Sequence, residues 1–231
     1  MILITGDTHA DIDTHKLENS VLEQVYNLDD ITYIIICGDF GGIWDVNKSS
    51  DREKHLLNWY AKKPWITLFI DGNHENHDRL DTLPMSEMFG GIVGVVNDKI
   101  FHLKRGEVYT IEDQPFFTFG GGESIDKARR VEFQSWWSQE IPNTTDIHNG
   151  LNNLAAVDNT VDYVITHTVY TKAYNDILIG DYKLNDPTYP ILDMFENIIT
   201  YKKWYASHFH FDIEVYNNLK ILYNKVIRVG E

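Results

Sequence analysis

A single cysteine, Cys37, stands among 231 residues. One thiol closes no internal disulfide, so a disulfide framework is excluded and a reducing, cytoplasmic setting is expected. No run of eighteen apolar residues occurs, so no helical membrane span is expected. The opening M-I-L-I-T-G-D has neither a basic leader nor a cleavage site, and no secretory signal is expected from it. Basic residues are scarce, 20 Lys and Arg against 35 Asp and Glu, for a formal charge of −15. Phosphate backbones are gripped by Lys and Arg, so tight non-specific nucleic-acid binding is disfavoured. The acidic excess fits an ordinary solvated surface, or carboxylates whose charge bound cations offset. Internal repeats, low-complexity tracts and Pro/Gly/Ser-rich linkers are also missing, which points to one domain over residues 1–231.

Apolar residues make up 43% and aromatics 13% of the chain, enough for an ordered, packed protein. Three β-branched runs, 2–5, 33–37 and 65–70, read as strands buried on both faces. Between them, Leu17, Val21, Leu22, Val25 and Leu28 fall on one helical stripe, and His55, Leu56, Trp59 and Tyr60 suggest another. Strand alternating with helix implies βαβ units and a sheet that is parallel in this half. Runs 100–105, 107–111 and 115–120 read as short antiparallel strands. Segment 126–140 reads as helical, 161–167 as a buried strand, and 190–199 as a helix. The last runs suggest a hairpin turning at Asn217-Asn218. The expected fold is α/β with two sheet-like halves.

The polar tracts at the ends of the buried strands are more informative. The strands end in G-D-T-H, G-D-F, G-N-H-E, T-H and S-H-F-H. In open α/β sheets ligands bind at the carboxyl ends of strands, so these polar side chains are expected to converge. Gly6, Gly38 and Gly72 precede the polar residues, where a sharp turn or a close approach excludes a Cβ. Asp7, His9, Asp39, Asn73, His74, His167, His208 and His210 supply carboxylate, imidazole and one amide oxygen. That set suits divalent Mn, Fe, Zn, Ni or Co. Asp-x-His and His-x-His pairs on extended backbone place both side chains on one face. Two such pairs with a carboxylate between them suggest two ions bridged by Asp39. Any one such histidine is ordinarily a surface or capping residue, and that reading is kept for His15, His55, His77, His102 and His148. Five strand ends repeating the pattern favour a site.

In this order the motifs resemble those of the calcineurin-like metallophosphoesterases, across residues 6 to 210. The tracts G-D-F-G-G-I-W, G-N-H-E-N-H-D and G-G-G-E-S-I-D-K-A-R-R are similar to small bacterial and phage members. The resemblance implies a sandwich of two mixed β-sheets flanked by helices. It implies that Asp7, His9 and His210 hold one ion, that Asn73, His167 and His208 hold a second, and that Asp39 bridges them. His74 would protonate the leaving oxygen. The implied activity is hydrolysis of a phosphate mono- or diester by hydroxide activated between two divalent ions, manganese first among them. A small molecule, a nucleotide or a phosphoprotein would be the substrate. The sequence departs from the family at Ser207, which replaces a usual glycine. The G-D-x-V-D-R-G of the protein phosphatases is also missing, and with it an aspartate that orients the catalytic histidine and a phosphate-binding arginine. Asp45 is a candidate replacement for the former. Arg129 and Arg130, after a glycine-rich loop, are candidate phosphate clamps, or else an exposed helix face. Trp136 and Trp137 read as core, with base stacking the alternative. Glu75 reads as a supporting residue or a helix N-terminal carboxylate. A metal-dependent nuclease and a catalytically silent metal-binding scaffold are the competing functions. Phosphate release from a monoester, without cleavage of single-stranded DNA, separates the first from a phosphatase, and any turnover excludes the second.

Overall fold

The three β-branched runs become parallel neighbours. In the computed structural model, which describes residues 1–177 and 185–231, they form β1 (Ile2–Thr5), β2 (Tyr33–Ile36) and β3 (Ile66–Phe69). Helices α1 (Asn19–Leu22) and α2 (Asp51–Ala61) make the crossovers. The Ser50 side chain caps α2 by accepting from the Glu53 N–H at 3.2 Å, satisfying one of the donors a helix leaves unpaired at its start. The sheet continues through β4 (Met85–Met88), β5 (Gly91–Asn97) and β6 (Ile100–Leu103), after the short α3 (His77–Asp81). A second sheet holds β7 (Glu107–Ile111), β8 (Gln114–Phe119), β9 (Tyr163–Thr166), β10 (Lys203–Ala206), β11 (Ile213–Tyr216) and β12 (Leu219–Ile221). A last strand, β13 (Val226–Arg228), returns to the first sheet, antiparallel to β1. The orders are β13-β1-β2-β3-β6-β5-β4 and β11-β12-β10-β9-β8-β7.

The inner faces of the two mixed sheets meet in one core, where Ile4, Ile35 and Leu68 pack among Phe116, Ile165 and Tyr205. The outer face of the first sheet is covered by Leu17, Leu22, Leu56 and Tyr60. That of the second is covered by α4 (Thr144–Ala155), α5 (Thr171–Ile177) and α6 (Thr188–Glu196), through Leu154, Ala173, Leu192 and Phe195. The expected sandwich of two mixed sheets flanked by helices is therefore the architecture. Strands covered on both faces need near-continuous apolar sequence, which is what 2–5, 33–36 and 66–69 provide.

Four local expectations fail. The run 100–105 does not pair with 107–111; β6 lies between β3, to which it is parallel, and β5, to which it is antiparallel, and the chain then crosses to the other sheet, where β7 and β8 pair antiparallel as expected. Leu17 and Leu22 reach the core, but Val21 and Val25 are exposed, because α1 is a four-residue helix between 3₁₀ turns. The C-terminal run splits: β12 closes the hairpin with β11, and a turn pinned by Asp212, which accepts from the backbone N–H of Tyr223, Asn224 and Lys225, redirects the chain into β13. Segment 126–140 is not a helix. It contains 3₁₀ turns at Lys127–Arg129 and Ser138–Glu140, with an isolated bridge from Glu132 to Trp136 between them. Its anchors are tertiary. Trp137 is buried and donates its indole N–H to Asp78 at 3.1 Å. The Glu140 carboxylate, also buried, accepts from the Ser124 N–H and hydroxyl and from the Trp136 indole. These contacts hold the segment as an arch beside the strand ends and override its helical propensity.

Candidate active site

The carboxyl ends of β1, β2, β3, β9 and β10 gather at one edge of the sandwich, with Asp7, Asp39, Asn73 and His167 buried there. Gly38 turns with φ +94°, and Gly72 lies against Asp39 so closely that a Cβ would overlap its Oδ1. Gly72→Ala is therefore expected to displace the Asp39 carboxylate and lower divalent-ion affinity by about tenfold or more, the scale of a disturbed ligand support. A manganese titration of stripped protein checks this; wild-type affinity would show that Asp39 moves aside freely.

The backbone reason for convergence differs from the expected one. His9, Asp39, His208 and His210 all have positive φ, at 44°, 48°, 73° and 54°. The paired ligands are thus brought together by left-handed turns, not by extended backbone. Such conformations cost non-glycine residues of order 1–3 kcal/mol each and cluster at functional sites. Ser207, in the place of a usual glycine, is not among the positive-φ residues, so its side chain is tolerated. Its hydroxyl bonds the Cys37 carbonyl.

Potential ligand atoms of Asp7, His9, Asp39 and His210 lie within 4.8 Å of one another, and so do those of Asp39, His167 and His208. Asp39 belongs to both groups. Asn73 Oδ1 joins the second, 3.1 Å from His167 Nε2. The His167 Nδ1 atom lies 2.9 Å from the Cys37 carbonyl, to which it donates, so Nε2 presents its lone pair to the cluster. His9 Nε2 is buried 3.2 Å from Asp39 Oδ2 without the alignment of a hydrogen bond. The structure thus brings all seven residues to one place, and these oxygen and imidazole donors fit divalent first-row metals.

The electrostatics agree. Burial opposes protonation of His9, but Asp39, Asp7 and Asp13 outweigh it and raise its pKa to about 9. Burial would raise Asp39, yet His167, His9 and His74 hold it well below the usual carboxylate range. Asp7 is pushed up, chiefly by burial and also by Asp39. Burial, helped by His167, drops His208 to about 3. Two carboxylates this close and this buried call for positive charge.

His74 stands beside this cluster, its backbone N–H donating to Asp39 Oδ1 at 2.7 Å. Its ring meets His9 edge-on at 4.9 Å and stacks near Trp44 at 5.9 Å. A pocket of about 470 Å³ opens here, with His74, Ile125, Arg130 and Phe209 in its walls. Arg130 Nη2 reaches within 3.1 Å of His74 Nε2, while its Nε donates to Asp126 at 2.6 Å. Arg129 is exposed and outside the pocket lining, so of the pair it is Arg130 that reaches the pocket. Asp45 does not orient His74 through any observed contact; its carboxylate accepts from the Ser50 N–H. Trp44 and Arg130 flank His74 instead. Burial first, and Arg130 among the nearby charges, lowers His74 to about 4.

Several supporting residues escaped the sequence. Asp71, just before Gly72, is buried with Arg105 and His102 at 2.5 and 3.1 Å, and this pairing holds its carboxyl well below the usual range despite burial. The I-D-G run at the strand end was a signal for it. His77 and His102 are buried, not surface residues. Glu75, by contrast expected from the sequence as a supporting residue or a helix N-terminal carboxylate, is fully buried, accepts from the Gly41 N–H, and is raised well above the ordinary carboxyl range, mainly by burial. Among the described residues no helix is long and apolar enough to cross a membrane.

Comparison with known proteins gives a family. The family model for calcineurin-like phosphoesterases matches residues 1–168 of the 231, ending just past His167. No curated protein matches the chain. Among solved structures, a Staphylococcus aureus protein provisionally assigned as a 5'-nucleotidase, in complex with alpha-ketoglutarate, is 16% identical. The alignment covers 96% of this chain and 48% of that one, with a TM-score of 0.46. The chain therefore spans about half the length of that protein. GAP50, the anchor in the inner membrane complex of Plasmodium, is 14% identical over 96% of this chain and 70% of its own, with a TM-score of 0.49. With the family model matched over most of its length, the chain belongs to the calcineurin-like phosphoesterases.

Proposed function

We propose that the chain hydrolyses a small phosphate ester at a dinuclear centre. Asp7, His9 and His210 would hold one ion, Asn73, His167 and His208 the other, with Asp39 shared. The observation that carries this reading is the shared position of Asp39 in two ligand groups beneath one pocket. When bound, two such ions neutralise phosphate charge and make hydroxide available near neutral pH. Manganese fits this donor set, and iron, zinc, nickel and cobalt fit it too.

The remaining roles belong to the chain's own groups. Arg130 presents guanidinium donors to the pocket and would bind phosphate oxygens, as its geometry suits. In doing so it would leave His74 Nε2, which then faces the ester oxygen. His74, lowered to about 4 in the free site, would gain a proton only once bound phosphate takes Arg130 from it and sets negative charge beside it, and would give that proton to the departing alkoxide. The acidic chain supplies few cations for a polynucleotide, which favours a small molecule, a nucleotide or an exposed phosphopeptide over nucleic acid.

Stripped protein supplied with Mn, Ni, Co, Fe or Mg should hydrolyse aryl phosphate mono- or diesters. No turnover with any metal would contradict this reading. The pH dependence has a defined sign. A pKa of about 9 leaves His9 protonated at neutral pH before an ion binds, and a ligand must be deprotonated. Ion binding at pH 7 should therefore release at least one proton, and affinity should rise with pH until about pH 9. Calorimetry in buffers of different ionisation enthalpy measures the release; none would contradict the assignment of His9 as a ligand.

A further inference from the structure

We infer that Asp13, Lys16 and Tyr223 form a brace that positions all three residues proper to the first ion site and none of those proper to the second. The inference rests on the two-ion reading and goes beyond it, to what sets the affinity of one site.

The positive φ of His9 and Ala10, at 44° and 61°, folds the chain back, and the Asp13 N–H donates to the Thr8 carbonyl. This return places Asp13 Oδ2 2.7 Å from His9 Nδ1. With Nδ1 donating to Asp13, the other ring nitrogen, Nε2, is the one aimed at Asp39 and left to ligate an ion once its proton is displaced. A carboxylate behind a histidine ligand fixes its tautomer and orientation and raises its basicity. The second Asp13 oxygen accepts from the Tyr223 hydroxyl at 3.1 Å, across 210 positions of sequence.

Tyr223 carries the brace to His210. The two rings stack with centroids 5.0 Å apart at 18°. His210 needs the support, since half of its side chain is exposed. Lys16 completes the set. Its Nζ is buried and donates to the carbonyls of Asp7 at 2.6 Å and Gly6 at 3.1 Å, and also to that of Tyr223. Asp7, His9 and His210 are each held by one member, and Tyr223 contacts both others.

The second group is supported elsewhere. His167 Nδ1 faces the Cys37 carbonyl, and the Asn73 amide lies 3.4 Å from the Ser124 hydroxyl, which donates to Glu140. His167 and Asn73 thus have supports of their own, whereas His208 donates its N–H to the Asp7 carboxylate at 3.2–3.3 Å, so disturbing the brace should weaken the first site far more than the second.

The test is manganese titration of stripped full-length protein, fitted to two sites. His210→Ala and Asn73→Ala identify which binding step belongs to which site. Asp13→Asn should weaken the step removed by His210→Ala by about 10–100-fold and leave the step removed by Asn73→Ala within about twofold. Tyr223→Phe keeps the ring over His210 but loses the hydroxyl, and should weaken the same step less than Tyr223→Ala does. Thermal unfolding of the stripped variants should stay near that of stripped wild type. Equal loss at both sites, or no loss at either, would overturn the brace while leaving two ions in place. If Asp13→Asn does not fold, Tyr223→Phe decides by the same criteria. A wild-type titration showing fewer than two sites would overturn the underlying two-ion reading instead, and the brace with it.

Discussion

Asp39→Ala is expected to abolish hydrolysis, by more than about 10³-fold, exceeding the loss of a single stabilising donor in a catalytic site. The reason is its shared position. Ligand atoms of six different residues lie around this carboxylate, in two groups that share it. In the proposed two-ion centre its removal would take a ligand from both ions at once, and it leaves His9 and His167 without the partner that lies 3.2–3.3 Å from each. Asp39→Asn should do nearly as badly, because an amide offers one neutral oxygen in place of two charged ones. Asp39 sits at a strand end beside the core, so the variant should keep its far-ultraviolet circular dichroism while losing ions and turnover together. Retention of two ions and of substantial turnover would show that Asp39 is not shared.

His74→Ala is expected to separate the two functions of the site. It should retain ions, since His74 belongs to neither ligand group. It should lose about 10²–10⁴-fold in kcat on alkyl phosphates, the range for a missing general acid. With p-nitrophenyl phosphate, whose phenolate departs without a proton, the loss should be far smaller. A merely structural role would depress both substrates alike, so the ratio of the two losses is the readout. The Arg130 guanidinium facing Nε2 gives a companion expectation in the opposite sense. Arg130→Ala should raise KM more than it lowers kcat, because its proposed part is to hold the phosphate.

The legible part of this molecule was the sequence-local part. Buried parallel strands demand unbroken apolar runs, and a glycine followed by Asp, Asn or His at the end of such a run stands out against them. Hence β1, β2, β3, β9 and β10 and the seven converging residues were readable. The left-handed turns at His9, Asp39, His208 and His210 were not, because side-chain spacing suggests extended backbone until the fold bends it. Segment 126–140 misleads for a related reason. A-R-R-V-E-F-Q-S-W-W satisfies helical spacing, yet Trp137 and Glu140 are drawn into separate buried partners, Asp78 and Ser124, that no local pattern reveals. Tyr223 shows the limit most plainly. It faces His210 because Asp212 pins the turn that begins with it, and its hydroxyl partner is 210 residues away.

The most direct test of the central claim is an anomalous-scattering map from crystals soaked in manganese. Two peaks should flank the Asp39 carboxylate, one among Asp7, His9 and His210 and one among Asn73, His167 and His208. No peak at either position, with these side chains ordered, would contradict the account.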